Sequence, residues 1–106
     1  MALPRYNGHR DANEAELLKI FDDLRVPWRR VNHEGLPDLL CIIAGQVHAP
    51  EIKSKAGHLE PAQIKFREWL VRYHVRLDEY YPVLRTPAEV IEWVETRRRK
   101  LWRPGA

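Results

Sequence analysis

The sequence predicts an α/β fold in which a mixed central sheet is flanked by helices, with an extra helix at the C-terminal end, and three observations lead there. Apolar residues recur at helical spacing in three separate segments. Between the first two lies "DLLCIIAGQVHAPEIK", an apolar run that reads as a strand pair turning at Ala44 and Gly45. The resulting order, helix, strand, hairpin, helix, strand, helix, is that of a layered mixed sheet. A chain of 106 residues supplies one core, so residues 1–106 are read as a single domain.

The opening "MALPRYNGH" carries Pro, Asn and Gly without periodicity, and residues 1–10 are expected to form a flexible arm. Helix one is expected over 13–25, with Leu17, Leu18, Phe21 and Leu24 on its apolar face and Asp11 or Asn13 as N-cap. Pro27 stops it, and "WRRVNH" alternates as a short exposed strand would. Leu39 to Ile43 are apolar at every position, which predicts a strand covered on both faces. The second helix starts at Pro61, with Ile64, Phe66, Trp69, Leu70 and Tyr73 as its packed side. "EYYPVLR" reads as a strand. Thr86, Pro87 and Glu89 form a capping-box pattern for the last helix, with Ile91, Val94 and Leu101 or Trp102 facing inward.

Composition limits the chemistry. Eighteen Lys and Arg against fifteen Asp and Glu give +3, a balance compatible with a nucleic-acid partner. The five histidines show no ligand spacing, Cys41 is the sole cysteine and reads as a core residue, and no glycine-rich phosphate loop is present. Zinc sites and nucleotide hydrolysis are therefore not expected. No apolar run approaches spanning length and no cationic segment followed by an apolar run opens the chain, so the expected setting is a reduced cytoplasm with no membrane partner.

The charged residues inside the hairpin are the main functional signal. With a two-residue loop at Ala44 and Gly45, residues whose numbers sum to 89 face each other, which sets Asp38 opposite Glu51. Their Cβ atoms would stand about 4.5–5.5 Å apart, with Lys53 on the same face. Carboxylates that close repel unless a proton or a cation lies between them, and hard oxygen ligands suit Mg²⁺ or Mn²⁺. A plain cross-strand salt bridge from Lys53 is the structural alternative. Pro50, just before Glu51, places an edge or a bulge at this point.

Pro37-Asp38 followed by Glu51-Ile52-Lys53 resembles the PD-(D/E)xK nuclease motif. The run from Val31 to Leu70, with Gly35, Pro37, Asp38, Glu51, Lys53 and Gln63, is similar to the VRR-NUC group of that superfamily. "EAEL", Glu14 to Leu17, also resembles the first helix of archaeal Holliday-junction resolvases, and the likeness spans roughly residues 13–86. It implies a restriction-endonuclease-like αβββαβ core and an Mg²⁺- or Mn²⁺-dependent DNA endonuclease acting on junctions, flaps or other branched DNA. Asp38, Glu51, the carbonyl of Ile52 and Glu14 would then hold the metal. Lys53 would position the attacking water, and Gln63 would orient Lys53 or a phosphate. Glu14 and Gln63 each have a structural alternative, a helix-start acid and a capping-box partner.

Arg29, Arg30, Lys55 and Lys65 are expected to contribute to a DNA-binding surface, together with Arg97, Arg98, Arg99, Lys100 and Arg103 of a basic tail over 96–106. Dipole-complementing charge at a helix end is the bland reading of that tail. A homodimer is expected if two symmetric strands are cut. The rival function is a DNA-binding module that keeps the fold without cleaving, and no residue distinguishes DNA from RNA as the partner.

Overall fold

The computed structural model describes residues 13–102 and 104. The expected arm over 1–10, the cap at Asp11, Arg103 and the last two residues of the basic tail lie outside the described residues.

The first helix, α1 (Glu14–Asp23), buries Leu17, Leu18 and Phe21, as its spacing requires. It ends before Pro27 because Arg25 takes a left-handed conformation (φ 60°) and the N–H of Val26 bonds back to the carbonyl of Phe21 at 2.9 Å. Asn13 stands at the N-cap position, but its side chain makes no cap. Its amide nitrogen instead donates to the carbonyls of Lys53 (3.0 Å) and Arg85 (2.7 Å), tying the helix start to two strand ends.

Strands β1 (Trp28–Arg30), β2 (Leu39–Ile43) and β3 (Gln46–His48) form an antiparallel sheet in that order. The turn has two residues, Ala44 (φ 51°) and Gly45 (φ 79°), and sets Ile43 opposite Gln46 and Cys41 opposite His48. Positive φ at both central positions matches the twist of the flanking strands.

Past His48 the chain changes partner. Leu39 N–H still reaches the carbonyl of Pro50 at 3.3 Å, but proline has no N–H to return the bond. From Ala49 onward the other edge pairs with the segment leading into β5 (Val83–Leu84): Ala49, Glu51 and Lys53 donate to the carbonyls of Tyr80, Pro82 and Leu84 at 2.8, 2.8 and 3.1 Å. The parallel pair of β4 (Glu51–Ile52) and β5 is thus an outgrowth of the antiparallel sheet through one bent strand.

Leu39, Cys41, Ile43, Ile52 and Leu84 meet α1 and α4 (Pro87–Leu101) in the core. Burial pushes the Cys41 thiol up to about 12, as befits an inert core side chain. On α4 the capping box is present, with Glu89 N–H donating to Thr86 Oγ1 at 3.2 Å. Its buried side is Val90, Trp93, Val94 and Arg97, while Ile91 and Trp102 are exposed, so the packed face is turned from the one expected.

Three further expectations need correction. Strand β2 is covered on one face alone, since Leu40 and Ile42 are exposed beside Val47. On α2 (Pro61–Arg72) the buried residues are Gln63 and Leu70, and Ile64, Trp69 and the following Tyr73 face solvent. The expected strand over "EYYPVLR" begins instead as a helical turn, α3 (Leu77–Tyr80), which Asp78 and Glu79 favour in its first turn and Pro82 brings to an end. Between α2 and α3, His74 supplies the left-handed residue (φ 66°) and Val75 N–H bonds the carbonyl of Leu70 at 3.1 Å. Among the described residues no helix is long and apolar enough to cross a membrane.

Candidate active site

The change of strand partner at Pro50 builds the charged cluster. Asp38 is held by its backbone carbonyl, which accepts from Val31 N–H at 2.8 Å as the β1–β2 ladder extends by one residue. Its side chain crosses to the next strand, where Oδ2 accepts from the N–H of Ile52 at 2.7 Å. A carboxylate thus takes the place of the backbone acceptor in the ladder beyond Pro50.

Glu51 lies opposite and is 2% exposed. Burial, a side-chain hydrogen bond with Asp38 and the charge of Asp38 together push its pKa up to about 9, against the opposing pull of Lys53 and Arg67. Glu51 therefore keeps its proton at neutral pH when no cation is beside it. Its Oε1 is buried without a hydrogen-bond partner, and so is Asn13 Oδ1, on the residue that grips the carbonyl of Lys53. An unpartnered buried carboxyl oxygen is costly, and a cation or an ordered water is the usual remedy. Lys53, just past the end of β4, is 7% exposed.

The hard oxygen donors of Asp38 and Glu51, with that open Oε1, fit a divalent cation. The fit rests on two carboxyl groups, since among the described residues no cluster of three or more His, Cys, Asp or Glu is placed to hold a metal. Glu14 is buried as expected, but its Oε1 takes an ion pair from Arg30 Nη2 at 3.2 Å. The main-chain N–H of Ile52 anchors Asp38, which places its peptide at the cluster. Gln63 is buried too, and its Oε1 accepts the N–H of Glu60 at 2.8 Å, the capping role that its position in the helix allows.

Arg67 reaches the cluster from α2, a role that the sequence reading did not assign. Its Nη1 donates to the carbonyl of Tyr81 at 2.7 Å, and its charge acts directly on Glu51. It stands one helical turn after Gln63 on α2, so the spacing alone could have nominated it. Gly35 brings α2 close: its φ of 85° suits glycine, and a Cβ there would lie 3.3 Å from that of Ala62.

The basic residues divide. Arg29, Lys55 and Lys65 are exposed, whereas Arg30 is shared with Glu14. On α4, Arg97 is 2% exposed: its Nε donates to His48 Nε2 at 3.1 Å, Nη1 pairs with Glu79 at 3.3 Å and the guanidinium lies 4.5 Å from the Tyr80 ring centroid. That arrangement turns it away from any phosphate. Arg98 donates to the carbonyl of Leu24 at 2.6 Å and Lys100 to Glu79 at 3.4 Å, leaving Arg99 with a local bond to Thr96. Arg97→Met is expected to lower the unfolding midpoint and leave the salt dependence of DNA binding unchanged. Arg99→Ala should do the reverse, reducing the slope of log affinity against log salt by about 1; equal slopes in the two variants would contradict this division.

Comparison of the chain with protein-family models, curated proteins and solved structures gave no match.

Proposed function

We propose that the protein is a divalent-metal-dependent DNA endonuclease with a restriction-endonuclease-like core, selective for branched DNA. The observation that carries this reading is the buried Glu51 joined to the half-buried Asp38, with the buried Lys53 two residues on, a grouping that serves stability poorly and phosphodiester hydrolysis well. Two carboxyl groups forced together, one of them protonated, destabilise a sheet unless they are there to meet a cation.

Asp38, Glu51 and the carbonyl of Ile52 would hold Mg²⁺ or Mn²⁺, which when bound supplies charge neutralisation at the phosphate. Lys53 would orient the attacking water and offset charge developing on the non-bridging oxygens. Arg67 would balance the carboxyl cluster from α2, and Glu14, steadied by Arg30, would order the waters at the site. The uncovered sheet face of Leu40, Ile42 and Val47 would serve a homodimer that presents two such sites to a two-fold symmetric junction.

A second reading, a DNA-binding module that does not cut, is favoured by the absence of a third acidic group beside Asp38 and Glu51 among the described residues. End-labelled four-way junction, flap, linear duplex and single-stranded DNA, incubated with Mg²⁺, Mn²⁺ or chelator, separate the two. Metal-dependent products are expected, most abundant from a branched substrate. Tight binding with no product from any substrate selects the second reading.

A further inference from the structure

The exposed face of α2 has no role in the core, yet it carries three neighbouring aromatic rings. Phe66, Trp69 and Tyr73 follow one another at spacings of three and four residues, so their rings lie along one edge of the helix. Ring centroids are 5.8 Å apart for Phe66 and Trp69 and 5.7 Å for Trp69 and Tyr73, with Phe66 resting 6.2 Å from Tyr81. Trp69 is 50% exposed and Tyr73 64%. Rings left in water to this extent mark a surface with a partner.

The charge around the rings indicates which partner. Lys65 and Arg72, both exposed, stand four residues before and three after Trp69, and so border the stripe on its outer side. Glu68, three residues after Lys65 and four before Arg72, stands beyond the two cations on the same side, where it lines a shallow hollow with Ile64, Val71 and Leu77. An aromatic strip bordered by cations fits a strand with flat bases on one side and phosphates on the other. A second copy of the chain fits poorly, because a two-fold contact across this stripe would bring the Lys65 and Arg72 of each copy toward those of the other.

We infer that this face is a stacking platform for the unpaired bases of single-stranded DNA. A duplex hides the faces of its bases, so the rings can stack on unpaired nucleotides alone. From Phe66 to Tyr73 the helix rises about 10 Å, the length of about three stacked bases. The neighbouring face of α2 carries Arg67, whose charge acts on Glu51, and Ala62 abuts Gly35 three residues before Asp38. A strand laid along the rings is thereby led to the carboxyl pair. The destination of the strand rests on the nuclease reading; the stacking does not.

The test is fluorescence anisotropy of labelled oligothymidylate in chelator, with a duplex of equal length and the matching oligouridylate alongside, for wild type, Trp69→Ala, Trp69→Phe and Lys65→Ala. Trp69→Ala is expected to weaken single-strand binding about 10-fold or more while duplex binding holds. Trp69→Phe should retain most of the affinity, and Lys65→Ala should reduce its salt dependence. Equal binding by Trp69→Ala and wild type, a matching loss on duplex, preference for oligouridylate, or a dimer in sedimentation that Trp69→Ala dissociates would each overturn the assignment. Cleavage assays run in parallel keep the readings apart: binding that obeys these rules without cleavage of any substrate removes the nuclease and leaves the platform.

Discussion

Lys53→Ala is expected to lower the rate of DNA cleavage by about 10²–10⁴-fold while leaving DNA affinity in chelator near that of the wild type. The loss should have two parts. Lys53 and Arg67 are the charges that pull the Glu51 pKa downward, so without Lys53 the carboxyl holds its proton more firmly. A metal held there would have to displace that proton, and the Mg²⁺ concentration giving half-maximal rate should rise, to be recovered partly by raising the pH. The remainder, a lower rate at saturating Mg²⁺ and high pH, reports the orientation of the water. Measuring rate against Mg²⁺ at two pH values resolves both parts. A variant that cuts within a few-fold of wild type under all conditions would remove Lys53 from the chemistry.

The second large effect concerns stability. Burial and Asp38 push the Glu51 pKa up to about 9 from the ordinary glutamate value of 4.5, so the folded state favours its protonated form. Its contribution to stability is fully present below pH 4.5 and is lost progressively as the pH rises toward 9. At pH 7 the loss is on the order of 3 kcal/mol by linkage. Glu51→Gln keeps a donor for Asp38 and cannot ionise. Its unfolding midpoint in chelator is expected to match that of the wild type near pH 4.5 and to exceed it at pH 8. Mg²⁺ should raise the wild-type midpoint at pH 8 and leave the variant unmoved. Parallel midpoints across the whole pH range, with no response to Mg²⁺ in either protein, would count against both the buried protonated carboxyl and the metal site. His48 acts in the opposite sense: burial and Arg97 depress its pKa, so its contribution holds above 6.5 and fades as the pH falls below that value. The difference between variant and wild type cancels it.

What could be read from the sequence was local and periodic. The two-residue Ala44–Gly45 loop fixed the pairing of Ile43 with Gln46 and of Cys41 with His48; past Pro50 Glu51 pairs with Val83, and it meets Asp38 through its side chain. Pro50 announced a break in the ladder, and Thr86 with Glu89 announced α4. The coverage of each element was not readable, because an apolar side chain does not say whether another layer lies over it. Leu40 and Ile42 therefore read as buried, and so did Trp69 and Tyr73. Arg97 shows the converse. It continues the stripe of Val90, Trp93 and Val94 at helical spacing, but its place in a run of arginines suggested solvent, and its partners Glu79, Tyr80 and His48 come from distant segments. Asn13 was missed for a similar reason, since asparagine before a helix reads as a cap and nothing local reveals a bond to Lys53 and Arg85.

The bond from Ile52 N–H to Asp38 Oδ2 also gives the molecule a built-in reporter. The adjacent amides of Glu51 and Lys53 are each fixed by a backbone carbonyl, whose electronic character hardly varies with solution conditions. The amide proton of Ile52 instead faces a carboxyl group that can change its hydrogen-bonding partners, and its magnetic resonance frequency and solvent exchange will follow them. A single peak in an isotope-labelled sample can therefore register events at the heart of the cluster, with no substrate and no altered residue.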